Sequence, residues 1–215
     1  MAKFISRLHY ITQETPGMSL SDLVEQACLG GVNWVQFRVK NKTKEASKSL
    51  AQEVQQICKK LGATFIINDD VALAKELGAD GVHLGKTDMP VEEARQILGS
   101  GAIIGATANT AADLLAIRKT SADYIGLGPY RFTTTKENLS PLLGGEGMKA
   151  ALQEAGPLSI PVIAIGGILP EDVAALASVG VYGIAVSGAI SRSQHPLRAA
   201  RQFSNQLTLF STLLQ

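Results

Sequence analysis

The sequence predicts an α/β protein built as a single (β/α)8 TIM barrel, and three observations predict this fold class. Short apolar runs alternate with helix-like segments along the whole chain, giving eight strand–helix pairs. Several runs are apolar throughout, as in a parallel sheet that is covered on both faces. The 215 residues suit one barrel, so we expect a single domain over residues 1–215.

The first half of the chain supplies four of these pairs. Ser19 can cap the first helix, because its hydroxyl can accept a hydrogen bond from an unpaired amide at a helix start. The turn at residues 13–17 lacks the glycine-rich fingerprint of a doubly wound nucleotide-binding sheet, which is the alternative fold. In order, the predicted elements are strand Leu8–Thr12, helix Ser19–Leu29, strand Trp34–Arg38, helix Lys44–Leu61, strand Phe65–Asn68, helix Val71–Leu77, strand Gly81–Leu84 and helix Pro90–Leu98.

The second half repeats the same alternation, with one long loop. The apolar run over residues 122–127 is ended by Gly128 and Pro129, and the next helical pattern begins only near Glu146. In order, the predicted elements are strand Ala102–Ala106, helix Ala111–Lys119, strand Tyr124–Leu127, helix Glu146–Glu154, strand Val162–Ile165, helix Pro170–Ala177, strand Gly183–Val186 and helix Pro196–Leu213.

Composition excludes several classes of function. The formal net charge is +1, so no overall field favours nucleic acid or a membrane surface, and we expect neither as a partner. No apolar run approaches the roughly 20 residues of a membrane span. Cys28 and Cys58 show no metal-ligand spacing and fall in predicted helices, which indicates buried free thiols and a cytoplasmic location.

The loop that follows the sixth predicted strand is the most informative stretch of the chain. Residues 126–136 read Gly-Leu-Gly-Pro-Tyr-Arg-Phe-Thr-Thr-Thr-Lys. Backbone amides, the hydroxyls of Thr133 and Thr135 and the cation of Lys136 all favour an anion. The stretch predicts a phosphate or pyrophosphate site at the carboxyl end of the barrel, where such enzymes place their chemistry.

A second group of polar residues follows the second strand. Gln36, Arg38 and Lys40 are spaced by two, which on a strand places all three on one face. Two cations that point the same way favour an anion between them. A solvated strand end is the alternative.

Carboxylates follow the third and fourth strands. Asn68, Asp69 and Asp70 end one strand, and Asp88 follows the next, so two carboxylates are placed to share Mg²⁺. Capping of the following helix is the alternative for one of Asp69 and Asp70, and it is also the alternative for Asp88. His83 has two interpretations, a buried histidine with satisfied ring nitrogens and a catalytic group.

The remaining strand ends carry small and hydroxyl residues. Thr107 is a candidate to face the site, while the two residues after Ala108 are candidates for helix capping. Glycines after the seventh strand, together with Ser187 and Gly188 after the eighth, predict a phosphate cradle, because their amides can approach an anion closely. With the cationic site, this arrangement predicts two phosphorylated small-molecule substrates.

In this order, the motifs resemble those of the thiamine phosphate synthase family. The resemblance spans about residues 8 to 190 and rests on Val-Gln-Phe-Arg-x-Lys, Ile-Asn-Asp, Gly-Val-His-Leu-Gly-x-x-Asp, Gly-Leu-Gly-Pro-x-x-x-Thr-x-Thr-Lys and Pro-Val-Ile-Ala-Ile-Gly-Gly-Ile. It implies a (β/α)8 barrel that uses Mg²⁺. It also implies a transferase that joins hydroxymethylpyrimidine pyrophosphate to a thiazole phosphate, with thiamine phosphate and pyrophosphate as products.

The resemblance also implies a role for each matching residue. Asp69 and Asp88 would bind Mg²⁺, and Lys136 would stabilise the leaving pyrophosphate. Thr107 stands where the family has a serine near the pyrimidine. The pyrimidine pyrophosphate would be held by Gln36, Arg38, Lys40 and Asn68, the phosphates by Thr133, Thr135 and Lys136, and the thiazole-side phosphate by Gly167, Ser187 and Gly188.

The chain also departs from the family pattern, which keeps two other functions open. The departures are Val39 for a usual glutamate, Arg131 and Phe132 for Phe-Pro, Asn109 for a common histidine, and Ser187-Gly188 for an aliphatic residue followed by serine. A thiazole tautomerase-like (TenI-like) enzyme is one alternative, although it would need an acid or base where Asn109 stands. A non-catalytic sensor of thiamine intermediates is the other. A homodimer is expected from the fold class alone.

Overall fold

The computed structural model describes residues 3–132 and 142–213, and it confirms the predicted fold class. Within these residues, parallel strands pair in sequence order into a closed barrel, and the last strand pairs with the first. The strands are β1 (Leu8–Ile11), β2 (Trp34–Phe37), β3 (Thr64–Asn68), β4 (Gly81–Leu84), β5 (Ile103–Ala108), β6 (Tyr124–Leu127), β7 (Val162–Ile165) and β8 (Gly183–Val186).

Helices connect the strands and surround the barrel. They are α1 (Leu20–Leu29), α2 (Lys44–Leu61), α3 (Val71–Leu77), α4 (Val91–Leu98), α5 (Ala111–Ile117), α6 (Gly144–Ala155), α7 (Val173–Val179), α8 (Gly188–Ser191) and α9 (Pro196–Leu213). Ser19 caps α1 as predicted, since its side chain accepts a hydrogen bond from the amide of Asp22. Because the strands of the barrel are parallel, they all end on the same side of the molecule. The loops that follow the strands form a C-terminal rim on that side.

The apolar side chains form two separate layers. Outward-facing strand residues pack against the helices, and fully buried Val24 and Val54 represent this outer layer on α1 and α2. Burying such a side chain stabilises the fold by about 1.5–3 kcal/mol. The inner layer fills the barrel, and its members are Ile5, Ile11, Trp34, Ile66, Ile103, Tyr124, Ile163 and Ala185. The barrel is thus a packed core, and polar chemistry is confined to its ends.

A histidine lies within the inner layer, near the amino-terminal end of the barrel. The ring of His9 stacks on Trp34 with centroids 4.3 Å apart, and its Nε2 lies 2.9 Å from the carbonyl oxygen of Ser6. Burial lowers the pKa of His9 to about 3, although the hydrogen bond to Ser6 opposes this shift. His9 is therefore neutral in the folded protein near neutral pH.

Some element boundaries differ from the predictions for identifiable reasons. β2 ends at Phe37, whereas β5 continues to Ala108 because it pairs with β6 along that length. The seventh helix begins with a 3-10 turn at Pro170–Asp172, and α7 then extends to Val179. The short helix α8 was not predicted, because four residues are too few to show a helical period.

Both cysteines are free thiols, as predicted. Cys28 is half-buried and Cys58 is buried. Burial raises the pKa of the Cys28 thiol to about 11. Across the described ranges, none of the helices combines the length and the apolar character that crossing a membrane would require.

Candidate active site

Two residues predicted to hold one substrate meet at the C-terminal ends of β2 and β3. Gln36 is buried, and its Nε2 donates a hydrogen bond of 2.7 Å to Oδ1 of Asn68. The two strands are neighbours in the barrel, which brings these side chains together. The amide–amide contact fixes Asn68 at the rim, where it is only partly buried.

Arg38 and Lys40 lie beyond the end of β2, so the prediction from strand alternation is wrong for them. The hydroxyl of Thr12 accepts a 2.7 Å hydrogen bond from the amide of Arg38 and donates one of 2.9 Å to its carbonyl oxygen. These contacts, on the β1 side of β2, hold Arg38 just beyond the strand, where the regular alternation of side chains has ended. Arg38 is half-buried and Lys40 exposed at this rim.

The adjacent aspartates after β3 have different environments. Asp70 caps α3, because its Oδ1 accepts a 2.9 Å hydrogen bond from the amide of Leu73. Asp69 adopts a left-handed backbone with φ of 65°, and its amide donates to the carbonyl oxygen of His83 on β4. A non-glycine residue in this region is uncommon and is often found at functional sites. Helix capping thus accounts for Asp70 and not for Asp69.

Asp88 belongs to the loop after β4, and it does not cap the next helix. α4 follows Pro90 and has no side-chain cap, whereas Oδ2 of Asp88 accepts a 2.6 Å hydrogen bond from the amide of Gly85. The capping interpretation of Asp88 is therefore wrong. β3 and β4 are paired through Asn68 and His83, so the loops that carry the two candidate carboxylates are neighbours.

The donor set of this region fits Mg²⁺ better than a transition metal. Among residues 3–132 and 142–213 no cluster of three or more His, Cys, Asp or Glu side chains is arranged to hold an ion. Mg²⁺ is commonly held by one or two carboxylates together with waters and substrate phosphates, which is what Asp69 and Asp88 offer. Carboxylate oxygens are hard ligands, which is the type that Mg²⁺ prefers.

His83 lies in a buried hydrogen-bond chain between β4, β5 and β6. Its Nδ1 is 2.9 Å from the hydroxyl of Tyr124, and its Nε2 is 3.0 Å from the hydroxyl of Thr107. Burial raises the pKa of Tyr124 well above its usual value, so that hydroxyl stays protonated. Both ring nitrogens of His83 have partners, as in the interpretation of a satisfied buried histidine. Thr107 is half-buried at the outer end of the chain.

In the loop after β5, one residue caps the next helix and its neighbour contacts another loop. Thr110 caps α5 in a capping box with Asp113, whose Oδ2 also accepts from the amide of Asn109. The side chain of Asn109 donates a 2.6 Å hydrogen bond to the carbonyl oxygen of Gly128. Asn109 therefore joins the loops after β5 and β6. Lys86, from the loop after β4, pairs with Asp113 and extends this connection.

The predicted phosphate cradle lies at the ends of β7 and β8. Gly166 and Gly167 have φ values of 106° and 65°, a backbone that side chains rarely adopt. The Ser187 hydroxyl donates a 3.3 Å hydrogen bond to Oε1 of Gln13. At Gly188, a Cβ would overlap the guanidinium of Arg192, so the missing side chain makes room for that cation.

An ion pair that no sequence pattern indicated joins the loops after β6 and β7. Nη1 and Nη2 of Arg131 each donate a 2.8 Å hydrogen bond to the carboxylate of Asp172. Burial pushes the pKa of Asp172 upward, but hydrogen bonds from Arg131 and Leu169 outweigh it and hold that pKa below its ordinary value. Arg131 stood out only as a departure from a family motif, and Asp172 resembled any acidic residue at a helix start.

The threonine and lysine residues of the most informative loop lie outside the described residues. This applies to Thr133, Thr135 and Lys136. The two ends of their loop are joined, because the amides of Leu143 and Gly144 donate to the carbonyl oxygens of Pro129 and Tyr130. The loop therefore begins and ends beside the glycine turn after β7.

Comparison with known proteins agrees with this arrangement. A family model described as thiamine monophosphate synthase matches residues 8–190. The chain belongs to this family. A family member from Bacteroides fragilis, named thiamine-phosphate synthase, is 47% identical over 201 residues, covering 92% of this chain and 98% of its own. The protein of the same name from Flavobacterium johnsoniae is 45% identical over 207 residues, covering 94% and 96%.

A solved structure extends the similarity within the thiamine monophosphate synthase family to three dimensions. Thiamine phosphate pyrophosphorylase from Pyrococcus furiosus superimposes with a TM-score of 0.84 at 29% identity, covering 95% of this chain and 96% of that one. Because the barrel is shared over nearly the full length of both chains, the departures from the family motif are local. Val39, for example, is half-buried and packs against the outer layer.

Proposed function

We propose that this protein is a Mg²⁺-dependent thiamine phosphate synthase. It would join 4-amino-2-methyl-5-hydroxymethylpyrimidine pyrophosphate to thiazole phosphate, with thiamine phosphate and pyrophosphate as products. The observation that carries the proposal is the presence, on one rim, of a carboxylate pair at the ends of β3 and β4 and a glycine cradle at the ends of β7 and β8. The names of relatives up to 47% identical support the same reaction.

The proposed roles divide the rim into two halves. Gln36, Arg38, Lys40 and Asn68 would bind the pyrimidine pyrophosphate, with Asp69 and Asp88 holding Mg²⁺. Gly167, Ser187 and Gly188 would bind the phosphate of the thiazole. Thr107 would contact the pyrimidine, and the hydrogen bond to His83 would hold its hydroxyl in place. Thr133, Thr135 and Lys136 would complete the pyrophosphate site from the loop after β6.

The chemistry is a dissociative substitution at the pyrimidine methylene carbon. The bond from this carbon to the pyrophosphate oxygen breaks, and its electron pair leaves with pyrophosphate. The thiazole nitrogen then donates its lone pair to the resulting cation. Arg38 and Lys136 would stabilise the charge that develops on the leaving group. When bound, Mg²⁺ would supply Lewis-acid stabilisation of the same charge.

Such a reaction needs positioning more than proton transfer. Both ring nitrogens of His83 are engaged by Tyr124 and Thr107, which suits a supporting role rather than that of a general base. The tautomerase-like alternative needs an acid or base after β5. Asn109 has no titratable group, and its amide is engaged with Gly128. We therefore favour the synthase, and we expect it to act in the cytoplasm, with the homodimer still a prediction.

The experiment that tests this function separates the three alternatives. Purified protein is incubated with Mg²⁺ and both substrates, and thiamine phosphate is measured by chromatography. A parallel incubation with thiazole carboxylate phosphate alone measures tautomerisation. We expect thiamine phosphate in the first reaction and no change in the second. Tautomerisation without synthesis would support the tautomerase, and tight ligand binding without either reaction would support the sensor.

A further inference from the structure

The turn after β7 is held from one side by the loop that follows β6. Three successive carbonyl oxygens, those of Ile165, Gly166 and Gly167, accept hydrogen bonds from this loop. The donors are the amide of Tyr130 at 2.8 Å, the amide of Arg131 at 2.9 Å and Nη1 of Arg131 at 2.7 Å. The backbone and side chain of Arg131 thus supply two of the three contacts.

These contacts determine where the next three amides point. In a trans peptide the N–H group points opposite to the carbonyl of the preceding residue. Because the carbonyls of residues 165–167 face the β6 loop, the N–H groups of Gly166, Gly167 and Ile168 face away from it. Successive amides that face the same side of a turn can form a concave anion site. The positive φ values of the two glycines produce this arrangement.

The guanidinium of Arg131 is itself fixed in place. Its two terminal nitrogens engage both oxygens of Asp172, which is 7% exposed. The same carboxylate accepts a 2.8 Å hydrogen bond from the amide of Leu169. A planar guanidinium bound by two parallel hydrogen bonds has little freedom to rotate. Asp172 therefore sets the direction in which Nη1 reaches the carbonyl oxygen of Gly167.

The fit between the two loops is also steric. A Cβ at Gly167 would lie 3.0 Å from both Cβ of Arg131 and the carbonyl oxygen of Phe132. A Cβ at Gly166 would lie 2.8 Å from Cα of Pro129. The β6 loop is packed directly on the glycine turn, so a change in one backbone is transmitted to the other.

We propose that Arg131, held by Asp172, is a positioning residue for the phosphate of the thiazole substrate. It touches no substrate and acts by orienting the amides of residues 166–168. The inference rests on the proposed function, because it assigns the thiazole phosphate to this cradle. A purely stabilising ion pair is the competing explanation. Loss of a stabilising pair whose carboxylate is buried would lower the free energy of unfolding, and such a loss would not distinguish one substrate from another.

The test uses two thiazoles that differ only in the phosphate group. Arg131→Gln removes the guanidinium, and Asp172→Asn removes its anchoring charge. For each variant we expect KM for thiazole phosphate to rise about tenfold, while kcat and KM for the pyrimidine pyrophosphate stay within about twofold of wild type. With the unphosphorylated thiazole alcohol, the variants and wild type should have equal kcat/KM. Arg131→Lys, which keeps the positive charge but loses the planar two-nitrogen fork, should fall between.

A double variant and a matched control complete the design. Arg131→Gln combined with Asp172→Asn should cost no more than either change alone, because both act through one contact. Lys48→Gln breaks the exposed Lys48–Glu76 pair between α2 and α3 and should leave all constants unchanged. Equal losses with both thiazoles, or no loss with thiazole phosphate, would overturn the proposal.

A binding measurement separates failure of this inference from failure of the proposed function. Calorimetric titration with thiazole phosphate requires no turnover. If wild type binds it and Arg131→Gln binds about tenfold more weakly, the positioning role stands even where no thiamine phosphate forms. If wild type makes thiamine phosphate and Arg131→Gln binds thiazole phosphate normally, the synthase stands and the positioning role is wrong. Wild type that does not bind thiazole phosphate at all would contradict the inference.

Discussion

At the scale of single residues, Asp69 and Asp70 show that neighbouring carboxylates serve different purposes. Asp70 closes the first turn of α3, and Asp69 is held in a left-handed backbone beside β4. The sequence predicted that one of the two would cap a helix, without deciding which. The hydrogen bond from Leu73 assigns the cap to Asp70.

This division predicts that substitutions of the two adjacent aspartates affect different properties, stability for Asp70 and Mg²⁺ dependence for Asp69. Asp70→Ala should lower the free energy of unfolding by about 1 kcal/mol, because a helix cap is lost, with the Mg²⁺ dependence of turnover unchanged. Asp69→Asn keeps a residue type that tolerates the left-handed backbone, so the fold should be preserved. It should raise the Mg²⁺ concentration needed for half-maximal turnover at least tenfold. Urea titration and a Mg²⁺ titration of turnover measure the two effects.

The outcome that would contradict the assignment is equally specific. Should Asp70→Ala change the Mg²⁺ requirement while Asp69→Asn leaves it unaltered, the metal role belongs to Asp70. Should both variants lose only stability, neither aspartate holds the metal.

At the scale of elements, the pairing of β5 with β6 places the side chains that hold Thr107 in position. Gly105 of β5 faces the ring of Tyr124, and a Cβ at that position would overlap the ring. Tyr124 in turn holds His83, which holds Thr107. The register Gly105↔Tyr124 and Thr107↔Gly126 brings these groups to one side of the barrel.

Gly105→Ala should therefore disturb the site from within the sheet. We expect a loss of about 1–3 kcal/mol in the free energy of unfolding, because the added methyl group overpacks the barrel interior. The displaced tyrosine should also weaken the support of Thr107, and turnover should fall.

Gly101→Ala is the matched control, since a Cβ there meets open space. It should change stability by no more than about 1 kcal/mol and leave turnover unaltered. Equal stability of the two variants would show that Tyr124 adapts without cost.

The sequence predicted most elements. The predictions were wrong at element ends that depend on contacts between residues distant in the sequence. Continuous apolar runs such as Val162–Ile165 and Gly183–Val186 predicted their strands to the residue. The end of β5 was missed because Ala106 and Ala108 have little intrinsic strand preference, and the polar Thr107 between them interrupts the apolar run. The side-chain contact of Thr12 with Arg38 ended β2 early, and no local pattern announces such a contact.

The candidate site was predictable to a similar extent. Gln36 and Asn68 meet as the motifs indicated, and Thr107 lies at the rim. The pair of Arg131 with Asp172 was not predictable, because 41 positions separate its members and neither residue type is unusual in a loop. Long-range ion pairs of this kind require the fold to be known first.

At the scale of the whole molecule, the two ends of the barrel serve different needs. The rim that follows the strands carries the candidate site, whereas the opposite end carries ion pairs and buried groups that support the fold. There Asp123 accepts hydrogen bonds from Lys3 and Arg95 and from the amide of Ile104. His9 lies near the same end, neutral and stacked on Trp34.

The buried His9 predicts how stability depends on pH. Its pKa is about 3 in the folded protein, against 6.5 for an exposed histidine, so between these values only the unfolded chain binds the proton. Its contribution to stability is complete above pH 6.5 and is lost as pH falls toward 3, by up to about 1.4 kcal/mol per pH unit. His9→Phe should show a correspondingly shallower fall between about pH 6.5 and about pH 4.5 in urea titrations. Identical slopes for the two proteins would mean that His9 takes up a proton without unfolding.

The most direct test of the central claim measures pyrophosphate release under omission of each component. Reactions contain hydroxymethylpyrimidine pyrophosphate, thiazole phosphate and Mg²⁺, and three further reactions each lack one of them. A synthase built on the two-anion rim predicts pyrophosphate, matched one for one by thiamine phosphate, only in the complete reaction. No release in the complete reaction, from protein that still binds either substrate in a thermal-shift assay, would contradict the claim and show that the barrel keeps its pocket for another task.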